Sequence, residues 1–164
     1  MNHRERGFSL LELLIVVAII VIITTVAIPN LIGTRSSANE ASALKSLQVL
    51  NTACVQYYST YGSYPHNQSD LGPPTNGALS KTAADMAPAD LAPPGTAPAS
   101  KAGYTFRYVA GQPDVTGNIH TYNLLADPLQ YKETGVKRFF CDQTTVVRYT
   151  SDGSPATAAS PLLQ

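Results

Sequence analysis

The chain has 164 residues, in which 11 basic residues balance 11 acidic ones, so the formal net charge is zero. A balanced charge argues against direct nucleic-acid binding, which normally brings a basic excess. The two cysteines are too few for a disulfide framework, although they allow one bridge. The length is that of one ordinary domain.

The first predicted element is an apolar stretch that follows the short charged segment MNHRERG. As a helix, the 21 residues from Phe8 to Ile28 would be about 31 Å long, which matches the roughly 30 Å of hydrocarbon in a bilayer. Because Arg4 and Arg6 precede this stretch, the positive-inside tendency places the N-terminus in the cytoplasm. The pattern predicts one membrane span, interrupted by a carboxylate at Glu12.

Two simpler interpretations of this stretch are a cleavable secretory signal and a plain membrane anchor. No small-x-small cleavage site follows the apolar run, which continues as TTVAIPNLIG. Neither interpretation explains Glu12, because an unpaired carboxylate in hydrocarbon costs a few kcal/mol or more. A carboxylate that snorkels to the headgroups from the helix end is a third alternative.

The stretch GFSLLELLIVVAII resembles the N-terminus of type IV pilins and of the related pseudopilins of type II secretion systems. That family has a short basic leader ending in glycine, then an aromatic residue, an acid four residues later and, in many members, a proline farther on. Gly7, Phe8, Glu12 and Pro29 occupy these positions. The resemblance implies that a membrane-embedded prepilin peptidase cuts after Gly7 and methylates the new α-amine of Phe8.

The resemblance also implies a role for Glu12 in assembly. Cleavage would leave Phe8 with an α-amine that is positively charged near neutral pH, and Glu12 could pair with this amine on the adjacent subunit. A buried carboxylate is tolerable when it is paired and costly when it is not. The pair would therefore penalise subunits that stack at the wrong rise.

A predicted amphipathic helix follows and ends at Gly62 and Pro65. Its apolar residues recur at intervals of three and four along one face, namely Ala41, Leu44, Leu47, Leu50, Cys54, Tyr58 and Tyr61. A continuous helix from Phe8 to Tyr61 would be about 80 Å long, which no single globular core needs. We therefore expect its second half to pack on a domain and its first half to face lipid or copies of itself.

The junction between the two halves holds Pro29 and Gly33. Proline cannot donate the backbone hydrogen bond at its position, and glycine adds conformational freedom, so we expect a kink here. The hydroxyls of Thr24 and Thr25 could satisfy carbonyls freed by the proline. Alternatively, Pro29 only marks the exit from the membrane.

The second half of the chain predicts a loop and then a sheet. Residues 72–103 hold six of the twelve prolines and few large apolar side chains, so we expect an exposed loop with a short helix at Leu79–Met86. From Tyr104 onward, period-two alternation broken by Gly, Pro and Asp predicts three or four antiparallel strands. The final residues, ATAASPLLQ, are expected to be a loose or lightly docked end.

The predicted fold class is α+β, with a long N-terminal helix whose second half packs on a small antiparallel β-sheet. The predicted divisions are a leader (1–7), a transmembrane and assembly helix (8–29), an amphipathic helix (30–62), a Pro/Gly-rich loop (63–103), and a sheet with a C-terminal tail (104–164).

Two further sites are open at this stage. A bridge between Cys54 and Cys141 would close a loop of roughly 87 residues and contribute about 4–5 kcal/mol in the chain-entropy model; two separate buried thiols are the alternative. Some pseudopilins bind calcium through C-terminal acids, so Asp127, Asp142 and Asp152 are candidate ligands, against the simpler interpretation of turn aspartates. No spacing of cysteine and histidine suggests zinc, and no other cofactor is expected.

The resemblance implies a structural prepilin that is no enzyme and that polymerises with itself and with other pilins or pseudopilins. Its other partners would be the prepilin peptidase, membrane lipid before assembly, and an inner-membrane platform with an ATPase. It would lie in the bacterial inner membrane and then in a periplasmic or cell-surface fibre. A type II secretion pseudopilin is the alternative, and a membrane-anchored extracytoplasmic binding domain is a further one.

Overall fold

The computed structural model describes residues 8–95 and 98–163, with the backbone alone for residues 26–31. The chain divides into two compact units between Arg35 and Ser36. The elements are α1 (Leu10–Tyr61), a 3-10 helix (Gln68–Leu71), β1 (Ala99–Lys101), β2 (Tyr104–Ala110), β3 (Tyr122–Pro128), β4 (Arg138–Asp142) and β5 (Arg148–Thr150). The predicted α+β class is confirmed.

The first unit consists of the N-terminal part of α1, whose described side chains up to Thr25 are all exposed. Between Phe8 and Ile23 the large apolar side chains are 49% to 85% exposed. A helix that is apolar on every side needs lipid or other helices around it. This segment therefore has its hydrophobic surface available for contacts with other molecules.

The second unit is built on a five-stranded antiparallel sheet with the strand order β1-β2-β3-β4-β5. Alternate residues of each central strand face the core, as the period-two pattern predicts. The register aligns Phe106 with Ala126 and Ala126 with Phe139, so these three inward side chains lie side by side across β2, β3 and β4. All three belong to the hydrophobic core.

The C-terminal half of α1 contributes a buried stripe to this core, made of Ala43, Leu47, Leu50, Ala53, Cys54 and Tyr57. The predicted stripe is correct at its centre and at Tyr61, which packs against the core, but wrong at Tyr58, which is 40% exposed whereas Tyr57 is 3% exposed. Two successive intervals of three residues displace a side chain by a net angle of about 120° around the axis of an α-helix. This rotation carries Ala41, which is exposed, away from Leu47.

The proline-rich connection is less exposed than its composition predicts. Five of its residues are buried in the core, namely Leu71, Ala84, Ala87, Leu91 and Ala92. The alanines among them have small side chains, which fit between the helix and the loop that covers it. The predicted helix at Leu79–Met86 is wrong. Instead, Ser80 and Ala83 exchange two backbone hydrogen bonds of 3.1 Å in a tight turn, and β1 forms near the end of the predicted loop.

Tyr57 and Tyr108 link loops to the core through hydrogen bonds from their hydroxyls. The Tyr57 hydroxyl donates to the Lys81 carbonyl at 2.6 Å, and the Tyr108 hydroxyl donates to the Pro65 carbonyl at 2.6 Å. Burial, with a contribution from nearby Asp70, raises the pKa of Tyr57 to about 12, so this hydroxyl stays a neutral donor. Each such ring fills the core while its hydroxyl satisfies a loop carbonyl.

The C-terminal tail is docked and not loose. Tyr149 N–H donates to the Pro161 carbonyl and Leu163 N–H donates to the Val147 carbonyl, each at 3.0 Å. The Arg148 guanidinium donates to the Ser160 carbonyl at 2.9 Å. The tail therefore covers the free edge of β5, which would otherwise expose unpaired backbone groups.

Candidate assembly segment

The start of α1 is closed by a reciprocal pair of hydrogen bonds between Ser9 and Glu12. Ser9 N–H donates to Glu12 Oε2 at 3.1 Å, and Glu12 N–H donates to Ser9 Oγ at 3.2 Å. Since α1 begins at Leu10, Ser9 is the N-cap residue and Glu12 is the third helical residue. This is a capping box, which satisfies two backbone donors that the first turn would leave unpaired.

The capping box gives Glu12 a partner within its own chain, which our sequence analysis did not identify. The signal was present, because S-x-x-E directly before an apolar run is the pattern of a capping box. The carboxylate is also well placed for the helix dipole, which favours negative charge in the first turn. Glu12 therefore stabilises the helix start before any second subunit is considered.

Phe8 immediately precedes the capping box and is 85% exposed. Its chain neighbour Gly7, the residue at which cleavage is predicted, lies outside the described residues, so processing after Gly7 and methylation of Phe8 stay predictions. The capping box fixes the helix start within two residues of Phe8. An α-amine at Phe8 would consequently lie close to the helix N-terminus.

The predicted kink at Pro29 and Gly33 stays a prediction. The helical backbone runs through both positions, but the Pro29 side chain lies outside the described part. A Cβ at Gly33 would meet no other atom within 4 Å. The hydroxyls of Thr24 and Thr25 donate to the carbonyls of Val21 and Ile22, at 3.0 Å and 2.7 Å respectively. Neither of these described hydroxyls donates to the carbonyl of Thr25, which lacks its helical donor because position 29 is a proline.

Over the residues that were described, no helix is both long enough and apolar enough to cross a membrane. The single span expected for residues 8–28 stays a prediction.

The two cysteines are free, buried thiols. Of the two alternatives, the structure thus has separate thiols and no bridge between Cys54 and Cys141. Burial raises the pKa of the Cys141 thiol to about 11, with a further contribution from Asp142, and burial likewise raises the pKa of Cys54. Both sulfurs are therefore protonated and weakly nucleophilic at neutral pH.

The three candidate calcium ligands have separate protein partners. Asp127 lies 3.7 Å from an Arg138 nitrogen, Asp142 accepts two hydrogen bonds from Thr144, and Asp152 accepts two from Ser154. Nowhere in the described chain do three acidic, histidine or cysteine residues gather in a group that could hold a metal ion. The geometry of Asp142 and Asp152 is that of turn aspartates, and calcium binding here gains no support.

An anchor between α1 and the β3–β4 loop is a further feature that sequence reasoning missed. Glu40 Oε1 accepts hydrogen bonds from Val136 N–H at 2.9 Å and from Lys137 N–H at 3.2 Å. Asn39 donates to the Thr134 carbonyl at 2.9 Å. Nothing in the local sequence distinguishes these two polar residues from others on the helix, because their partners lie 95 to 97 residues away.

Comparison with known proteins gives a family match in this N-terminal segment. The family model of the prokaryotic N-terminal methylation motif matches residues 2–28. The predicted resemblance to type IV pilins and pseudopilins is thereby confirmed for the motif that contains Gly7, Phe8 and Glu12.

Individual relatives come from both branches of the predicted family. The chain is 39% identical over 71 residues to the type IV major pilin protein PilA of Myxococcus xanthus, covering 43% of this chain and 32% of the relative. It is 31% identical over 72 residues to the type II secretion system core protein G of Dickeya chrysanthemi, covering 44% of this chain and 47% of the relative. For the type IV major pilin protein PilE1 of Neisseria gonorrhoeae the identity is 33% over 72 residues, covering 44% of each chain.

The matches thus span 32% to 47% of the length of these relatives. No solved structure matches the chain.

Proposed function

Because this chain carries the prokaryotic N-terminal methylation motif, we propose that it is a prepilin, the structural subunit of a type IV pilus or pilus-like fibre. The observation that carries this proposal is the exposed apolar surface on every side of α1 directly after Phe8. Such a surface serves polymerisation through helix packing. It would serve no catalytic purpose, and the role we propose is structural and not enzymatic.

The processing steps that we propose follow from the order of residues at the N-terminus. A prepilin peptidase removes residues 1–7 by cutting after Gly7 and methylates the new amine of Phe8. Phe8 is highly exposed at the start of the helix, as a substrate for cleavage and methylation needs to be. In this proposal the capping box keeps Glu12 in the first turn of α1 during cleavage and methylation.

Assembly then moves the apolar helix from lipid into a bundle of copies. Van der Waals packing and polar pairs drive association of helices in an apolar environment. In this proposal the Glu12 carboxylate pairs with the Phe8 amine of the adjacent subunit, which compensates both charges. An inner-membrane platform with an ATPase would extract the subunits from the membrane into a periplasmic or cell-surface fibre.

A pseudopilin of type II secretion is the second candidate, and the similarity to the core protein G of Dickeya chrysanthemi favours it. Both candidates share the same N-terminal chemistry, so the segment described above does not separate them. Complementation separates them, because a pilin restores surface fibres in a pilin-deleted strain whereas a pseudopilin restores secretion in a pseudopilin-deleted strain.

The fibre itself is the test of this proposal. In a host that has prepilin peptidase and pilus machinery but lacks its own pilin, we expect the chain in the sheared surface fraction as filaments visible by electron microscopy. The Gly7→Glu variant should stay in the membrane fraction as the unprocessed form, and so should the unaltered chain in a host without the peptidase. Filaments that form equally well from unprocessed chains would contradict the proposal.

A further inference from the structure

We propose that a cleft at the C-terminal end of α1 binds an uncharged pyranose sugar, either free or at the end of a glycan chain. The cleft has a volume of about 380 Å³, which falls within the range of roughly 300–1,000 Å³ typical of small-molecule sites. It lies between the end of α1, the 3-10 helix region, the turn at Lys81 and Thr82, and residues 116–118. Nothing in the proposed fibre function requires this cleft.

The lining of the cleft combines aromatic rings with hydrogen-bonding groups. Three of its twelve residues are tyrosines, and the other nine are polar, charged or glycine, so none is aliphatic. Sugars present apolar C–H faces, which pack on aromatic rings, and hydroxyls, which need planar donors and acceptors such as carboxylates and amides. A ligand with few polar groups would leave this lining unsatisfied.

The tyrosines form a platform and not a cage. The ring centroids of Tyr57 and Tyr61 are 4.6 Å apart, which is contact distance for two aromatic rings. No group fits between these two rings, so the pair cannot enclose a quaternary ammonium ion as an aromatic cage does. Tyr61 and Tyr64 both line the cleft and are each partly exposed, so a sugar ring can pack against them.

Asp70 provides a buried acceptor at this platform. Asp70 is only 5% exposed, and its Oδ2 accepts a hydrogen bond from Asn67 N–H at 2.8 Å. None of the described residues donates a hydrogen bond to Asp70 Oδ1. Asp70 is one of the residues that line the cleft, and a carboxylate there can accept a hydrogen bond from a sugar hydroxyl, which is stronger than a bond to a neutral acceptor.

One wall of the cleft is preorganised by Asp114. Its Oδ1 accepts hydrogen bonds from Thr116 N–H at 2.8 Å, from Thr116 Oγ1 at 2.6 Å and from Asn118 N–H at 2.9 Å. The bonds from Thr116, together with the contact to His120, hold the pKa of Asp114 well below its usual value. A wall that is already ordered reduces the entropy lost on binding.

The charges of the lining favour an uncharged ligand. Asp70 brings one negative charge and Lys81 one positive charge, and these two charges cancel. Neither an anion nor a cation would therefore meet a net opposite charge from this pair. We therefore infer that hydroxyl groups, and not a phosphate or an ammonium group, are what the cleft recognises.

Saturation-transfer NMR on the full chain tests the proposal, in a detergent without a sugar headgroup. The probes are the methyl glycosides of β-D-galactose, α-D-mannose and N-acetyl-β-D-glucosamine. We expect transfer to the ring protons of at least one glycoside, which represents the free sugar. Retention on galactose-agarose, mannose-agarose or chitin beads reports the glycan-bound form. Absence of both transfer and retention for all three sugars would overturn the proposal.

Variants tie the binding to the cleft. Asp70→Asn keeps an acceptor for Asn67 N–H but loses the charge, and Asn118→Ala removes a partly buried amide from the lining of the cleft. Each should raise the Kd of the bound glycoside about tenfold. Asn123→Ala, an exposed amide in β3 outside the cleft, is the matched control and should bind as the unaltered chain does. Unchanged affinity in both cleft variants would refute the site, whatever the outcome for fibres.

Discussion

At the residue scale, Glu12 has one observed partner and one proposed partner. The observed hydrogen bond from Ser9 N–H caps the helix, but a single neutral donor compensates only part of a carboxylate's charge. In the proposed fibre, the Phe8 amine of a neighbouring subunit supplies the remaining compensation. The capping box therefore stabilises the start of the helix, while in the proposed fibre the charge would determine the register between subunits.

Substitutions at Glu12 and Ser9 separate these two roles. Glu12→Gln keeps the capping box, in which glutamine is also accepted, but removes the charge. We expect it to reduce the yield of sheared filaments at least tenfold, since breaking a buried ion pair costs roughly 3–5 kcal/mol. Ser9→Ala removes the cap alone and should leave most of the yield. The yield is measured by quantitative immunoblotting after leader removal has been verified for each variant. Normal filaments from Glu12→Gln would contradict the proposed role of the charge in assembly.

The cysteines give a second prediction at this scale. Because burial raises the pKa of both thiols, iodoacetamide at pH 8 should leave the folded chain unmodified. After unfolding in guanidinium without a reductant, both cysteines should be alkylated, which intact-mass spectrometry reports as two adducts. A chain that takes up adducts only after a reductant is added would instead contain the Cys54–Cys141 bridge.

At the element scale, α1 is tied to the β3–β4 loop through Glu40, whose side chain is 15% exposed. Its carboxylate accepts hydrogen bonds from two backbone N–H groups of that loop. The loop also packs closely on the core, since the Tyr104 ring occupies the space that a Cβ at Gly135 would need. The anchor holds the C-terminal half of the helix to the sheet in addition to the apolar stripe.

Truncation of this anchor should destabilise the domain. Glu40→Ala leaves the N–H groups of Val136 and Lys137 without their acceptor, at a cost of about 1–3 kcal/mol. Glu40→Gln retains an acceptor oxygen and should cost less. Chemical unfolding of the full chain in detergent, followed by circular dichroism, measures the difference. Glu133→Ala, an exposed acid in the same loop, is the control. Equal stabilities of the Glu40→Ala and Glu133→Ala variants would show that the anchor contributes nothing.

The elements also show which parts of the fold were predictable. Strands such as β2 alternate clearly between inward Tyr104, Phe106 and outward Thr105, Arg107, so local pattern determines them. The burial of the connecting loop was not predictable, because alanines such as Ala84 and Ala87 carry no periodic signal. Their burial depends on hydrogen bonds from distant groups, including the Tyr57 hydroxyl.

The candidate site shows the same division between local and distant information. Gly7, Phe8 and Glu12 were identified through the resemblance to type IV pilins, because the motif that carries it consists of nearby positions along the chain. The role of Ser9 is equally local, because Ser9 lies three residues before Glu12. The cleft beside Asp70 could not be found in advance, because four separate segments of the chain contribute to it.

At the scale of the whole molecule, the chain combines a helix with exposed apolar residues on every side and a domain with its own closed core. The core residues that the structure describes in the domain all lie after Ser36. The exposed apolar helix therefore calls for an explanation outside the isolated chain. The polymer of copies that we propose, formed after removal of the charged leader, would provide that explanation.

The mass of the mature N-terminus tests this account most directly. Filaments sheared from cells that contain prepilin peptidase should yield an N-terminal peptide that begins at Phe8 and carries one methyl group on its α-amine. A chain that still begins at Met1 within such filaments, or a Phe8 terminus without the methyl group, would contradict the account.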